Sequence, residues 1–203
     1  MSEMSEVIAI TGTMGSGKSE VRRILSDFIP TTDCDMLNAR LLEPDQAGTR
    51  ALKKAGLYPE TEDGQLDRMA LSKMMFDHPE IKKQVEGILH PLILEAMDQW
   101  IEKQRGLCAV EVPLLFEANL QDHFNLIWCV MTDPQIALER LETGRHIPRE
   151  EAQRRLDHQW SPEQKAALSD IIIRNDATKE ELHQRVNAAL DQSAKIVLKK
   201  QSA

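Results

Sequence analysis

An α/β fold with a large helical insertion is predicted by three observations. Short apolar runs at residues 7–10, 107–112, 126–130 and 171–173 read as buried strands, and amphipathic helical stretches alternate with them. Between the first run and the first helix lies a glycine loop, Gly12-Thr13-Met14-Gly15-Ser16-Gly17-Lys18-Ser19. From residue 37 to residue 104 no strand pattern interrupts a mostly helical chain.

The glycine loop follows the pattern of Gly, four free positions and Gly-Lys-Ser. It sits between the apolar run Val7-Ile8-Ala9-Ile10 and a helix carrying Val21, Ile24, Leu25 and Phe28 at helical spacing. Strand, glycine loop and helix in that order form a phosphate-binding unit. Glycine permits the backbone to turn successive N–H groups inward, and the following helix adds its positive dipole end. In such a loop Lys18 reaches the β- and γ-phosphates of a nucleotide and the Ser19 hydroxyl is placed to ligate Mg²⁺.

Residues 28–32 form a weak strand by composition but lead into Asp33-Cys34-Asp35, just before a helix expected near Met36. Ligands of open α/β sheets bind beyond the carboxyl ends of strands, so a carboxylate here suits a site; Asp also caps helices, and position alone leaves both readings open. In the helical stretch that follows, breaks are expected at Pro44, across residues 56–64, at His78-Pro79 and at His90-Pro91, each a place where a helix can start with proline in its first turn. The stripe Ile81, Val85, Ile88 and Leu89 and the stripe Ile93, Ala96, Met97, Trp100 and Ile101 are core-facing, and Gly106 ends the stretch.

The strand at 107–112 contains one acid, Glu111, and is followed by Pro113-Leu114-Leu115-Phe116-Glu117. An acid near the end of a core strand in a phosphate-loop protein can hold Mg²⁺ through water; a partly exposed edge residue is the more ordinary alternative. After the strand at 126–130, Thr132-Asp133-Pro134 starts a helix with Ile136, Ala137 and Leu141 facing inward. Arginine then concentrates at positions 140, 145, 149, 154 and 155. Guanidinium groups on a mobile segment suit a transferring phosphate, and a solvated face paired with Glu150, Glu151 and Asp157 is the plainer reading for any single one of them. Arg140 and Arg145 flank the intervening loop and are the two expected to act. Ser161-Pro162-Glu163-Gln164 is a capping box, residues 178–181 start the last helix, and the tail at 199–201 is expected to fray.

Composition narrows the function. A chain of 203 residues suits one domain with an insertion. At 41% hydrophobic and 29% charged residues it is an ordinary globular sequence, with no apolar run long enough to span a bilayer. A net charge of −8 argues against a nucleic-acid partner and leaves a small anionic substrate in a local cationic pocket. The acidic start lacks the features of a secretory signal, so the cytoplasm is the expected compartment. Cys34, Cys108 and Cys129 are too scattered for a disulfide framework, and no histidine spacing suggests a metal site. The apolar stripes suit a core or a subunit interface equally and leave oligomeric state open.

Over residues 7–190 the chain resembles the dephospho-coenzyme A kinase family. The resemblance is carried by Thr11-Gly12 to Lys18-Ser19, the pair Asp33 and Asp35, Asp63-Gly64 with Leu66 and Arg68, Phe76, and His90-Pro91. It continues through residues 113–117, Arg140-Leu141 with Arg145, Ala152 with Arg155 and Gln159, and Asp170-Ile171-Ile172 with Asn175. It implies a P-loop kinase fold: a parallel five-stranded sheet flanked by helices (about 7–36 and 105–190), a helical substrate lobe at about 37–104 and a lid at about 140–155. It implies transfer of the ATP γ-phosphoryl to the 3′-hydroxyl of the ribose of dephospho-coenzyme A. ATP and Mg²⁺ would be held by Gly12, Thr13, Met14, Gly15, Ser16, Gly17, Lys18, Ser19 and Asn175. Asp35 would take the hydroxyl proton and Asp33, its neighbour, would order the site or the Mg²⁺ waters. Arg68, His90, Pro113, Leu114 and Leu115 would join them against the acceptor, while Lys18, Arg140 and Arg145 supply positive charge.

Four positions depart from the family pattern. Thr13 and Asp176 stand where glycine is usual, Ala137 replaces a common glutamine, and His146-Ile147-Pro148 lacks the glycine of the lid. Two rival functions share the loop: another small-molecule or nucleoside monophosphate kinase, and a nucleotide-driven regulatory switch. The chain lacks the Asn-Lys-x-Asp motif of GTPase switches, and a large helical insertion suits a substrate.

Overall fold

The computed structural model describes residues 5–201. The first four residues of the acidic start lie outside them. Two compact units divide the chain: one comprises residues 1–32 and 104–203, the other residues 33–103.

The first unit is built on a five-stranded sheet. Strand β1 (Glu6–Thr11) pairs in parallel with β3 (Leu107–Glu111) on one side and β4 (Leu126–Met131) on the other, and β4 pairs in parallel with β5 (Ile171–Arg174). With β2 (Thr31–Asp33) beside β3, the order is β2-β3-β1-β4-β5. Central strands covered on both faces must be apolar throughout, and β4 is buried at all six positions. The edge strand β5 alternates instead, with Ile171 and Ile173 buried and Ile172 half exposed. The weak composition of residues 28–32 is explained by the shortness of β2, three residues at the other edge.

Helix α1 (Lys18–Leu25) and helix α9 (Lys179–Gln201) press Val21, Ile24 and Leu25, and Leu182, Val186 and Ala189, onto the sheet around Trp128, whose indole N–H donates to Ser193 Oγ at 3.0 Å. Fraying expected at 199–201 is not seen, because Ile196 and Val197 pack against this core and the helix continues to Gln201. Thr178 and Glu181 form the reciprocal side-chain cap of α9.

The second unit contains α2 (Cys34–Leu41), α3 (Ala47–Lys54), α4 (Arg68–Asp77) and α5 (Pro79–Glu102), with a short antiparallel bridge between Glu60 and Leu66 around the turn at Gly64. Leu52, Leu57, Leu71, Val85 and Leu89 are its core. The break expected at His90-Pro91 does not occur: Pro91 lies inside α5. Proline removes one backbone bond there, to the carbonyl of Gly87. The helix persists because Val85 and Leu89 before it and Met97 after it are all buried. Pro79, by contrast, occupies the first turn as expected.

Among the described residues no helix is long and apolar enough to cross a membrane. Leu52 has no exposed surface and is surrounded by the second core. Leu52→Ala is expected to lower stability by about 2–5 kcal/mol in urea unfolding, and a shift below about 1 kcal/mol would show that this core does not hold the unit together.

Candidate active site

The loop of residues 12–19 is shaped by three glycines with positive φ and by what presses on each. A Cβ on Gly12 (φ 146°) would stand 2.3 Å from the carbonyl oxygen of Val130 in β4. One on Gly15 (φ 80°) would stand 2.7 Å from the Ala137 carbonyl oxygen, in helix α6 (Pro134–Arg145), and one on Gly17 (φ 90°) would stand 2.0 Å from Asn175 Nδ2. No other residue fits these conformations and distances together. Thr13, where a glycine was expected, has no positive φ, so its side chain brings no backbone strain. Ala137 meets Gly15 through its backbone.

Lys18 begins α1 and is buried; its ammonium donates to the Thr13 carbonyl at 2.9 Å. Asn175, just past β5, is the brace of the loop. Its amide donates to Ser16 O at 2.8 Å, its N–H to Met131 O at 2.7 Å, and its own carbonyl accepts from Thr132 Oγ1 at 2.9 Å and Arg140 Nη2 at 3.0 Å. The other guanidinium nitrogen, Arg140 Nη1, is buried without a hydrogen-bond partner among the described residues, and so is Ser16 Oγ. Arg140 Nη1 is also 3.7 Å from the point where a Gly17 Cβ would be. Buried donors left open at a helix N-terminus are what a bound phosphate satisfies.

Glu111 is 6% exposed, which overturns the edge-residue alternative. It ends a central strand beside β1, whose last four residues are all buried. Its two oxygens accept from Ser19 Oγ and Arg22 Nε, each at 3.1 Å. This hydroxyl and carboxylate fit Mg²⁺. Among the described residues no group of three or more His, Cys, Asp or Glu side chains could hold a metal, so the rest of its shell would be phosphate and water oxygens.

Beyond α6 the chain turns through His146 and enters α7 (Arg149–Asp157). His146 takes the left-handed conformation (φ 53°) that glycine would accept without cost, and both its N–H and that of Ile147 donate to the Leu141 carbonyl. Leu138, Leu141 and Ala152 form an apolar cluster with Met14, Ile147 and Leu156, and the Met14 N–H donates to Gln159 Oε1 at 2.9 Å. The segment is thus attached to the phosphate loop itself. Arg154 and Arg155 pair with Glu151, the solvated arrangement that charge patterning suggested, while Arg145 is exposed at the end of α6. A cavity of about 250 Å³ opens beside Thr13, walled by α6, α7 and Trp160.

Pro113 and Leu114 follow β3 at the carboxyl edge of the sheet, where Leu114 is 48% exposed. Leu115 is not: it has no exposed surface, so its side chain serves the core and cannot touch an acceptor. Phe116 is likewise buried and stacks on Trp160 with ring centres 5.7 Å apart. One buried cation went unnoticed in the sequence. Lys165, in α8 (Pro162–Ala167), is fully enclosed and paired with Glu117. A lone lysine on a short helix carries no pattern that marks it as internal.

In the second unit, Asp33 caps α2: Oδ1 accepts from the Met36 N–H at 2.5 Å. Asp35, in the first turn, is exposed. Arg68 donates to the carbonyls of Ala39 and Leu42 at 3.0 and 3.3 Å, closing the far end of α2. His90 is exposed midway along α5.

Comparison with known proteins gives these features a family. The family model for dephospho-CoA kinase matches residues 6–181. The chain is 32% identical to a dephospho-CoA kinase of Gloeobacter violaceus, over 93% of each chain. It is 34% identical to a dephospho-CoA kinase of Saccharomyces cerevisiae, over 91% of this chain and 81% of the relative. Its structure is similar to that of TT1252 from Thermus thermophilus, with a TM-score of 0.79 at 28% identity over 94% of this chain and 98% of the other. With its strand, glycine loop and helix set in a five-stranded P-loop kinase sheet, this chain belongs to the dephospho-CoA kinase family.

Proposed function

We propose that the protein transfers the γ-phosphoryl group of ATP to the 3′-hydroxyl of dephospho-coenzyme A, giving coenzyme A and ADP, the last step of coenzyme A synthesis. The observation that carries this reading is the phosphate loop itself. Buried Lys18 rests on a carbonyl of that loop, and Ser16 Oγ and Arg140 Nη1 are buried donors with no partner among the described residues, in a chain matched by the family over residues 6–181.

Phosphoryl transfer asks a protein mainly for positioning and for positive charge where charge moves. The backbone of residues 12–19 holds the phosphates. Lys18 exchanges the Thr13 carbonyl for phosphate oxygens, and Arg140 turns its open Nη1 to the same group while Nη2 stays on Asn175. Arg145, at the end of α6, adds charge from the lid formed by residues 140–155. Ser19 and Glu111 would hold Mg²⁺, which when bound would supply positive charge against the phosphate oxygens. Residues 37–104 form the acceptor lobe. Just before that lobe, Asp35 takes the proton of the 3′-hydroxyl, and Asp33, by fixing the first turn of α2 through Met36 N–H, sets where that carboxylate stands. His90, Pro113 and Leu114 contact the acceptor. Arg68 serves that lobe by holding the end of α2.

Burial pushes the pKa of the Cys108 and Cys129 thiols up to about 11. Such buried, unreactive thiols suit the reducing cytoplasm, where we place the enzyme.

ADP release, measured with dephospho-coenzyme A, with a panel of nucleosides and with no acceptor, tests the assignment. Turnover is expected with dephospho-coenzyme A, and acceptor-independent hydrolysis would favour a regulatory switch. Asp35→Asn is expected to lower kcat by about 100-fold or more with ATP binding intact; unchanged turnover would remove Asp35 from the mechanism. Lys18→Ala is expected to lose both ATP affinity and turnover, and normal ATP affinity in calorimetry would contradict the loop assignment.

A further inference from the structure

Behind the turn at residues 113–117 lies a buried charge that no step of phosphoryl transfer uses. Lys165 Nζ donates to Glu117 Oε2 at 2.9 Å and to the carbonyl of Pro113 at 3.0 Å, and its ion pair with Glu117 brings Oε1 to 2.8 Å. The ammonium is thus held by one carboxylate and one backbone carbonyl. Glu117 Oε1 also accepts from the Trp160 N–H at 2.9 Å, and the Trp160 ring lies over Phe116. The carbonyl of Lys165 is itself fastened, accepting from Ser169 Oγ at 2.7 Å. A single side chain from α8 therefore ties together both ends of a five-residue turn.

That turn occupies a consequential place. It leaves β3 directly beside the strand that runs into the phosphate loop, and Thr11 Oγ1 donates to the same Pro113 carbonyl at 3.5 Å. Leu115 and Phe116 are driven into the core, and this leaves Pro113 and the half-exposed Leu114 at the carboxyl edge of the sheet, where open α/β sheets receive ligands. Burying a lysine and a glutamate is a poor way to gain stability, since a buried pair is commonly matched or bettered by apolar residues of the same volume. What the pair supplies here is a fixed backbone position for Pro113.

We infer that Lys165 is a positioning residue for the acceptor: by fixing the Pro113 carbonyl and Glu117 from behind, it holds Pro113 and Leu114 as a rigid shelf against dephospho-coenzyme A. The inference rests on the reading of those two residues as acceptor contacts. Lys165 touches neither substrate, so its effect falls on acceptor binding and not on the phosphate loop.

The test compares the wild-type protein with Lys165→Met and with the double variant Lys165→Met/Glu117→Gln. In the double variant no carboxylate is stranded, and the Trp160 N–H keeps an acceptor. It is expected to unfold at a temperature near that of the wild type, with KM for dephospho-coenzyme A raised about tenfold and KM for ATP within about twofold. Calorimetric titration with dephospho-coenzyme A should show the same loss. A folded double variant with wild-type KM for dephospho-coenzyme A overturns the inference, as does an equal rise in both KM values. A double variant that cannot fold assigns the network to folding alone and overturns it too. A wild-type protein inert toward dephospho-coenzyme A strikes the substrate assignment and this inference together, whereas an active wild type beside an unaltered double variant strikes this inference only.

Discussion

Close contact between the phosphate loop and the backbone around it is the constraint on which the rest of the site depends. A chain that turns successive N–H groups toward one point gains little from its own hydrogen bonds, which here are Ser16 N–H and Lys18 Nζ on the Thr13 carbonyl. It is held from outside. β4 meets it at Gly12, α6 at Gly15 and Asn175 at Gly17, each so near that a Cβ would overlap its neighbour. The glycines are as much packing requirements as conformational ones. Asn175 joins the loop to the end of β5 and to Arg140, so the position of one guanidinium depends on the same residue that supports Ser16.

Charge is distributed by the same logic. The protein is acidic overall, yet the cations around the loop are buried or held at fixed partners: Lys18 on Thr13, Arg140 on Asn175 and Arg22 on Glu111. A buried cation needs a counter-charge or several acceptors to remain charged. These side chains have acceptors inside the protein, and Arg140 Nη1 retains a donor for a ligand. Exposed arginines on α7 behave differently. Their pairing with Glu151 draws that carboxyl below its ordinary range, the arginine at position 155 contributing most. Such an exposed pairing contributes little to stability.

Much of the fold was legible because periodicity and punctuation are local. The apolar runs became β1, β3, β4 and β5, and Asp133, Ser161 and Thr178 cap the helices they were expected to start. Pro91 misled for a physical reason: proline disfavours a helix interior, but the buried Val85 and Leu89 before it and Met97 after it outweigh one missing hydrogen bond. The tail at 199–201 misled likewise, since its polar residues gave no sign that Ile196 and Val197 anchor the helix just before them. Leu115 looked like its neighbours in a motif, and only burial separates it from Leu114.

Residue order alone determined that this chain holds a phosphate: glycines at fixed spacing, a lysine and a serine between a strand and a helix leave few other uses, because the spacing itself encodes the turn. It also placed the helical insertion and the aspartates at its entrance. Tertiary structure decided which groups are open and which are spent. Glu111 is buried against Ser19, Asp33 is used as a cap, Arg68 closes a helix end and Lys165 lies under the turn after β3. Each of these depends on contacts between residues far apart in the chain or on what burial leaves for a side chain to bond, and neither is written in local pattern.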